Sequence, residues 1–121
     1  MNRYHCVSFA SLDEGAAFAA ALSRFLCSPC GFARATSAKS SVEVIVTPSD
    51  DLRGLQVFLS TEALEAAAHA FGSPEVIASG GPELLPSTHV TIVSGANRVA
   101  YGKDDIVRRL TDAESDKRLP G

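Results

Sequence analysis

Tryptophan is absent from the 121 residues, aromatic side chains make up 7% of them, and cysteine occurs three times. Three is an odd count and too few for a disulfide framework, which excludes the small stapled secreted class and fits a reducing compartment. No stretch approaches the roughly 20 consecutive apolar residues of a membrane span. Met1 to Ala10 lacks the charged segment and following apolar run of a signal peptide. A cytoplasmic location with no membrane partner is therefore expected. Basic residues are also sparse: 11 Lys and Arg against 14 Asp and Glu leave a net charge of -3, and the only dense basic pairs are Arg108-Arg109 and Lys117-Arg118. Without a clustered basic face, nucleic acid is disfavoured as a partner.

Catalytic signatures are missing as well. Ser79-Gly80-Gly81-Pro82 and Ser94-Gly95-Ala96-Asn97 carry glycine but lack the Lys and Ser or Thr that close a phosphate-cradling loop. No serine sits in a Gly-x-Ser-x-Gly elbow, and no His-Glu-x-x-His helix occurs. His5 and His89 fall near strand starts. His69 and Glu65 form an i, i+4 pair, but on a polar helix face that lacks the enclosing pocket acid–base chemistry needs. Asp50-Asp51 and Asp104-Asp105 read as a loop and a helix start. No catalytic residue, resident cofactor or metal is expected.

The sharpest chemical feature is Cys27-Ser28-Pro29-Cys30, since two thiols separated by two residues can close a disulfide, hold a metal or exchange with another disulfide. Its position argues against the redox role. Thioredoxin-like pairs sit at a helix N-terminus, where the dipole lowers the thiol pKa, whereas this pair follows a helix and meets the negative end. A structural zinc needs about four ligands, and Cys6 is the one candidate for a third. About seven strand residues at roughly 3.3 Å nearly match about 14 helical residues at roughly 1.5 Å, which would return Cys27 to the level of Tyr4 to Cys6. The alternative reading of the chain is thus a thiol-redox or metal-binding protein centred on Cys6, Cys27 and Cys30.

What is present is a plain globular pattern, 45% hydrophobic and 21% charged, at the size of one domain. Arg3 to Ala10 alternates, with His5, Val7 and Phe9 on one face and Tyr4, Cys6 and Ser8 on the other, which predicts a strand. Ser11 and Glu14 then make a capping box. It starts a helix from Leu12 to about Leu26, whose expected buried stripe is Gly15, Phe18, Leu22, Phe25 and Leu26, with Asp13, Ala17 and Arg24 outward. Pro29 and Gly31 end it.

Gly31 to Thr36 and the β-branched Val42 to Thr47 predict a strand pair, followed by a loop from Pro48 to Gly54. Leu55 to Leu59 predicts a strand that meets a helix capped by Ser60 or Thr61 and stopped after Phe71 by Gly72. Leu64, Ala67, Ala68 and Phe71 are its expected buried stripe, with Glu62, Glu65 and His69 opposite. Further on, the pattern predicts a short strand at Glu75 to Ala78, an irregular loop from Ser79 to Ser87, and a hairpin of His89 to Val93 with Arg98 to Tyr101. Asp104 to Leu110 closes the domain as a helix whose charges suit two i, i+4 pairs. Residues 111–121 read as a frayed tail beyond a domain of residues 1–110.

The fold expected is α+β: a layered, mostly antiparallel sheet with two main helices on one face and a short C-terminal helix. The strand-to-helix junctions at Phe9-Ala10-Ser11 and Phe58-Leu59-Ser60 recur at a spacing that admits a worn βαββ duplication. A sound core with no convincing site points to a non-enzymatic protein-binding module whose partner is another protein. Small inhibitors, immunity proteins and adaptors share the profile, among them phage- and mobile-element-encoded proteins directed at host defence machinery. The expected docking residues are Glu83, Leu84 and Leu85, because the longest irregular segment holds two leucines between prolines.

Overall fold

In the computed structural model, which describes residues 3–27, 42–49, 53–87, 89–94 and 99–118, the alternating N-terminal segment forms β1 (Tyr4–Phe9). Ser11 Oγ accepts the Glu14 N–H at 3.4 Å, and α1 (Leu12–Cys27) begins there. β2 (Glu43–Pro48) and β3 (Leu55–Ser60) take up the two β-branched and apolar runs. α2 (Thr61–Phe71) follows with no intervening turn. Its first turn is capped by Ser60, and Gly72 at φ 91 ends it by returning its N–H to the Ala68 carbonyl. β4 (Ala78–Gly80), a 3₁₀ turn at Pro82–Leu84, β5 (Val90–Ser94) and α3 (Lys103–Arg118) complete the order.

The five strands form one antiparallel sheet in the order β4-β1-β3-β2-β5. β1-α1-β2 and β3-α2-β4 each skip one strand, so the two units interleave as a split βαβ pair, and β5 with α3 extends the sheet beyond β2. Among the described residues each of the two units runs β-α-β. The Gly31 to Thr36 strand that would lengthen the first unit lies outside the described residues, as do Cys30 and the Asp50-Asp51 pair.

Alternation sorts the sheet into two faces. Val7, Val44, Val46, Val57 and Leu59 point into the main core, which α1, α2 and α3 cover. Tyr4, Cys6, Ile45 and Phe58 point the other way and form a second, smaller cluster. β5 breaks the alternation: Val93 pairs with Val44 and Thr91 with Ile45, leaving Ile92 as an extra residue. This bulge lets the neighbours Ile92 and Val93 both enter the main core.

Several elements depart from the sequence expectation. The residues of α1 that are fully buried are Gly15, Ala16, Ala19, Ala20, Leu22, Ser23 and Leu26, while Phe18 and Phe25 sit half-buried at the margin. Small residues let the helix lie close to the sheet: a Cβ on Gly15 would stand 2.5 Å from the Leu55 Cβ. Ser23 is buried because its hydroxyl donates to the Val99 carbonyl at 2.8 Å and accepts the Tyr101 N–H at 3.0 Å. That pair of bonds holds residues 99–101 against α1, and they form no strand. In α2 the buried face is Ala63, Ala66 and Ala67, with Leu64 half-buried and Phe71 exposed.

The short strand lies at Ala78–Gly80 rather than at Glu75 to Ala78, since β1 offers its edge to Ala78, Ser79 and Gly80. α3 runs on to Arg118, eight residues past Leu110. Of its expected ion pairs, Asp105 instead meets Arg108 at 3.4 Å, and Arg109 lies 4.6 Å from the centre of the Tyr101 ring. Among the described residues no helix is long and apolar enough to cross a membrane.

Ser60 joins three elements. Its hydroxyl accepts the Ala63 N–H at 3.3 Å and the Glu43 N–H at 2.9 Å, so one buried oxygen caps α2 and secures the start of β2. Ser60→Ala is expected to cost about 1–3 kcal/mol, a lost cap together with a stranded N–H. Urea denaturation measures it, and an unchanged midpoint would show that neither N–H depends on this oxygen.

Candidate functional site

Phe9 at the end of β1, Phe18 and Phe25 on α1 and Phe71 at the end of α2 form a connected aromatic row. Ring centres lie 5.1 Å apart for Phe9 and Phe18, 5.8 Å for Phe18 and Phe71, and 6.4 Å for Phe25 and Phe71. The His69 ring adds to it, 6.1 Å from Phe25. All three pairs of phenylalanines are tilted, the arrangement that the ring quadrupoles favour. Phe71 is 48% exposed, and Phe9, Phe18 and Phe25 are half-buried. The row is therefore a ridge where α1 and α2 meet, with Phe9, Phe18 and Phe25 resting on the margin of the main core.

The sequence assigned Phe18, Phe25 and Phe71 to buried stripes, and it missed the ridge for a definable reason. Helical spacing gives the direction of an apolar face but not its centre. The alanines and Gly15 bring the helix backbones down to the sheet, and the phenylalanines flanking them are left at the border. Phe71 also stands on the last turn of α2, beside the Gly72 cap.

The residues expected to dock a partner lie elsewhere. Leu84 and Leu85 are half-buried and pack under the 3₁₀ turn against Tyr4, Cys6, Ile45 and Phe58, so they cover the second face of the sheet. Glu83 is exposed. Its carboxylate accepts the Gly81 N–H at 3.1 Å, and its own backbone N–H followed by that of Gly81 holds it below the usual carboxylate range.

Of the three cysteines, Cys30 lies outside the described residues, and the two described ones, Cys6 and Cys27, are not brought together. α1, with half-buried Cys27 at its end, packs on the face lined by Val7, whereas Cys6 points to the opposite face. The matched lengths of β1 and α1 fix the level but not the side of the sheet, and the sheet itself separates the two sulfurs. Burial pushes the Cys6 thiol up, away from the reactive thiolate. Among the described residues, no three His, Cys, Asp or Glu side chains cluster as a metal site.

His5 links three elements through both ring nitrogens: Nδ1 lies 2.9 Å from Ser79 Oγ and Nε2 lies 3.1 Å from Thr61 Oγ1. The distances are those of a base with a hydroxyl, but both ring nitrogens are taken up by hydroxyls and neither by an orienting carboxylate. The geometry serves to fasten β4 and α2 to β1. His89 Nδ1 donates to the Pro86 carbonyl at 2.8 Å, a local loop bond.

Comparison with protein-family models, with curated proteins and with solved structures finds no match for this chain.

Proposed function

We propose that the chain is a non-enzymatic protein-binding module, of the inhibitor, immunity or adaptor kind, that docks another protein on the aromatic ridge between α1 and α2. The observation that carries this reading is the exposure of Phe71 in the middle of a row of half-buried rings, between Phe18 and Phe25. Aromatic residues are enriched at the centres of protein interfaces, where they supply large apolar area for little conformational entropy. The ridge stands on two helices anchored to a five-stranded sheet, so it is presented without the ordering cost of a loop. The loop at residues 79–87 spends its leucines on the sheet and offers Ser79, Pro82, Glu83 and Ser87 at the surface.

Phe71→Ser tests the reading. Its ring is only half in contact with the protein, so the melting temperature should move little. A central aromatic contact carries about 2 kcal/mol or more, roughly thirtyfold in Kd. The expected result is that a partner captured by the native chain is lost by Phe71→Ser while the chain stays folded, with only a small fall in melting temperature from the two ring contacts removed. The same Kd for both chains would remove the ridge from the interface.

A further inference from the structure

We infer that the exposed face of α1 beside the ridge is completed by a second copy of this chain, packed antiparallel against it; this rests on the ridge being a docking surface and names its occupant. Glu14, Ala17, Ala21 and Arg24 are all exposed on α1, and their spacings of three, four and three are those of successive a and d positions of a heptad. In an antiparallel pair each a position faces a d position of the other helix. Taking Glu14 and Ala21 as a, and Ala17 and Arg24 as d, one two-fold axis at the level of residue 19 sets Glu14 against the second copy's Arg24 and Ala17 against its Ala21.

The two requirements of such a seam are thus met in a single register. Alanine at both central positions allows close approach of the backbones, and opposite charges close both ends. Neither Glu14 nor Arg24 forms an ion pair within the chain among the described residues; the Arg24 guanidinium rests beside Gly102 at the start of α3, and in the proposed pair it turns from there to the second copy's Glu14. Phe18 lies one position from the axis on the α2 side, which brings the two Phe18 rings together and extends the seam into the ridge. An isologous contact of this kind closes at two chains.

Charge reversal on the full chain separates this from other uses of the surface. Sedimentation equilibrium of the native chain should show a concentration-dependent species of twice the chain mass. Glu14→Arg alone and Arg24→Glu alone each place like charges together at both ends, and each should weaken self-association at least about tenfold. In an equimolar mixture of the two single variants, one chain carries the basic side chain at both end positions and the other the acidic one. Opposite charges then meet again at both ends of a mixed pair, and association should return as a heterodimer. Thermal melts of each variant confirm that the fold is kept. A native chain that stays monomeric, or single variants that associate as the native chain does, would overturn the second copy as occupant. If Phe71→Ser nevertheless abolishes binding of a different protein, the ridge remains a docking surface and only its assignment to a second copy fails. Self-association that survives charge reversal but is lost in Phe71→Ser would place a second copy on the ridge by another register and overturn the heptad seam.

Discussion

Leu22→Ala should lower the free energy of unfolding by about 3–5 kcal/mol, near the upper end for a buried leucine. Leu22 is fully excluded from solvent and belongs to the core shared by Leu26, Leu55, Leu59 and Ile106. Truncation there removes the isopropyl end of the side chain and leaves a void that the anchored sheet cannot collapse to fill. Leu64→Ala is the informative contrast. Leu64 has the same spacing credentials in α2 but is only half-buried, so its cost should fall to about 1–2 kcal/mol, mostly lost transfer energy without a full cavity. Urea melts of both variants decide the matter. Equal losses at the two positions would contradict the placement of α2, with its alanine face rather than Leu64 against the sheet.

That contrast marks where the sequence is informative and where it stops. β1 was legible because alternation over Tyr4 to Phe9 has only one strand solution, and the same pattern put Val7 and Cys6 on opposite faces as the structure does. Ser60 and Gly72 were legible because caps act within four residues of themselves. The antiparallel α+β class followed from strands that enter capped helices directly. Much of what failed required distance. The pairing of β5 with β2, the 76-residue separation of Ser23 from Val99 and the 74-residue separation of His5 from Ser79 leave no local trace.

The candidate site was the least legible part, and for the same reason. Leu84 and Leu85 break every amphipathic pattern around them because their partners, Tyr4, Cys6, Ile45 and Phe58, sit on three different strands. Outside a helix or strand, two adjacent leucines look alike whether they cover a sheet or await a partner. The phenylalanines presented the reverse problem, since helical spacing made them look interior. Residue size settled it: close helix–sheet contact goes to Gly15, Ala16, Ala19, Ala63, Ala66 and Ala67, and the large rings are displaced to the rim.

Gly54→Ala is expected to destabilise the chain by about 2–3 kcal/mol, although Gly54 lies in a connection where alanine ordinarily gains about 0.4–1 kcal/mol by restricting the unfolded chain. The sign is set by what surrounds the residue. A Cβ at Gly54 would run into the Phe9 carbonyl oxygen, with the carbonyl carbon and oxygen of Ala10 both at 3.3 Å. These are backbone atoms at the junction of β1 and α1, and no rotamer change can move them aside. The connection is fixed from its own side too: the Ser49 N–H donates to the Gly54 carbonyl at 3.0 Å, and the Gly54 N–H donates to Ser49 Oγ at 2.9 Å. Next to it the Leu12 N–H donates to the Arg53 carbonyl at 2.9 Å, fastening the first turn of α1 to the β2–β3 connection. Relief must come from separating that connection from the β1–α1 junction, and overpacking of this kind costs about 1–3 kcal/mol or more. Hydrogen exchange locates the damage as denaturation measures it: the Leu12 amide should exchange faster in Gly54→Ala, while the Ala63 amide at the start of α2 keeps its protection. Stability equal to or above that of the native chain would mean that the connection does not approach Phe9 this closely.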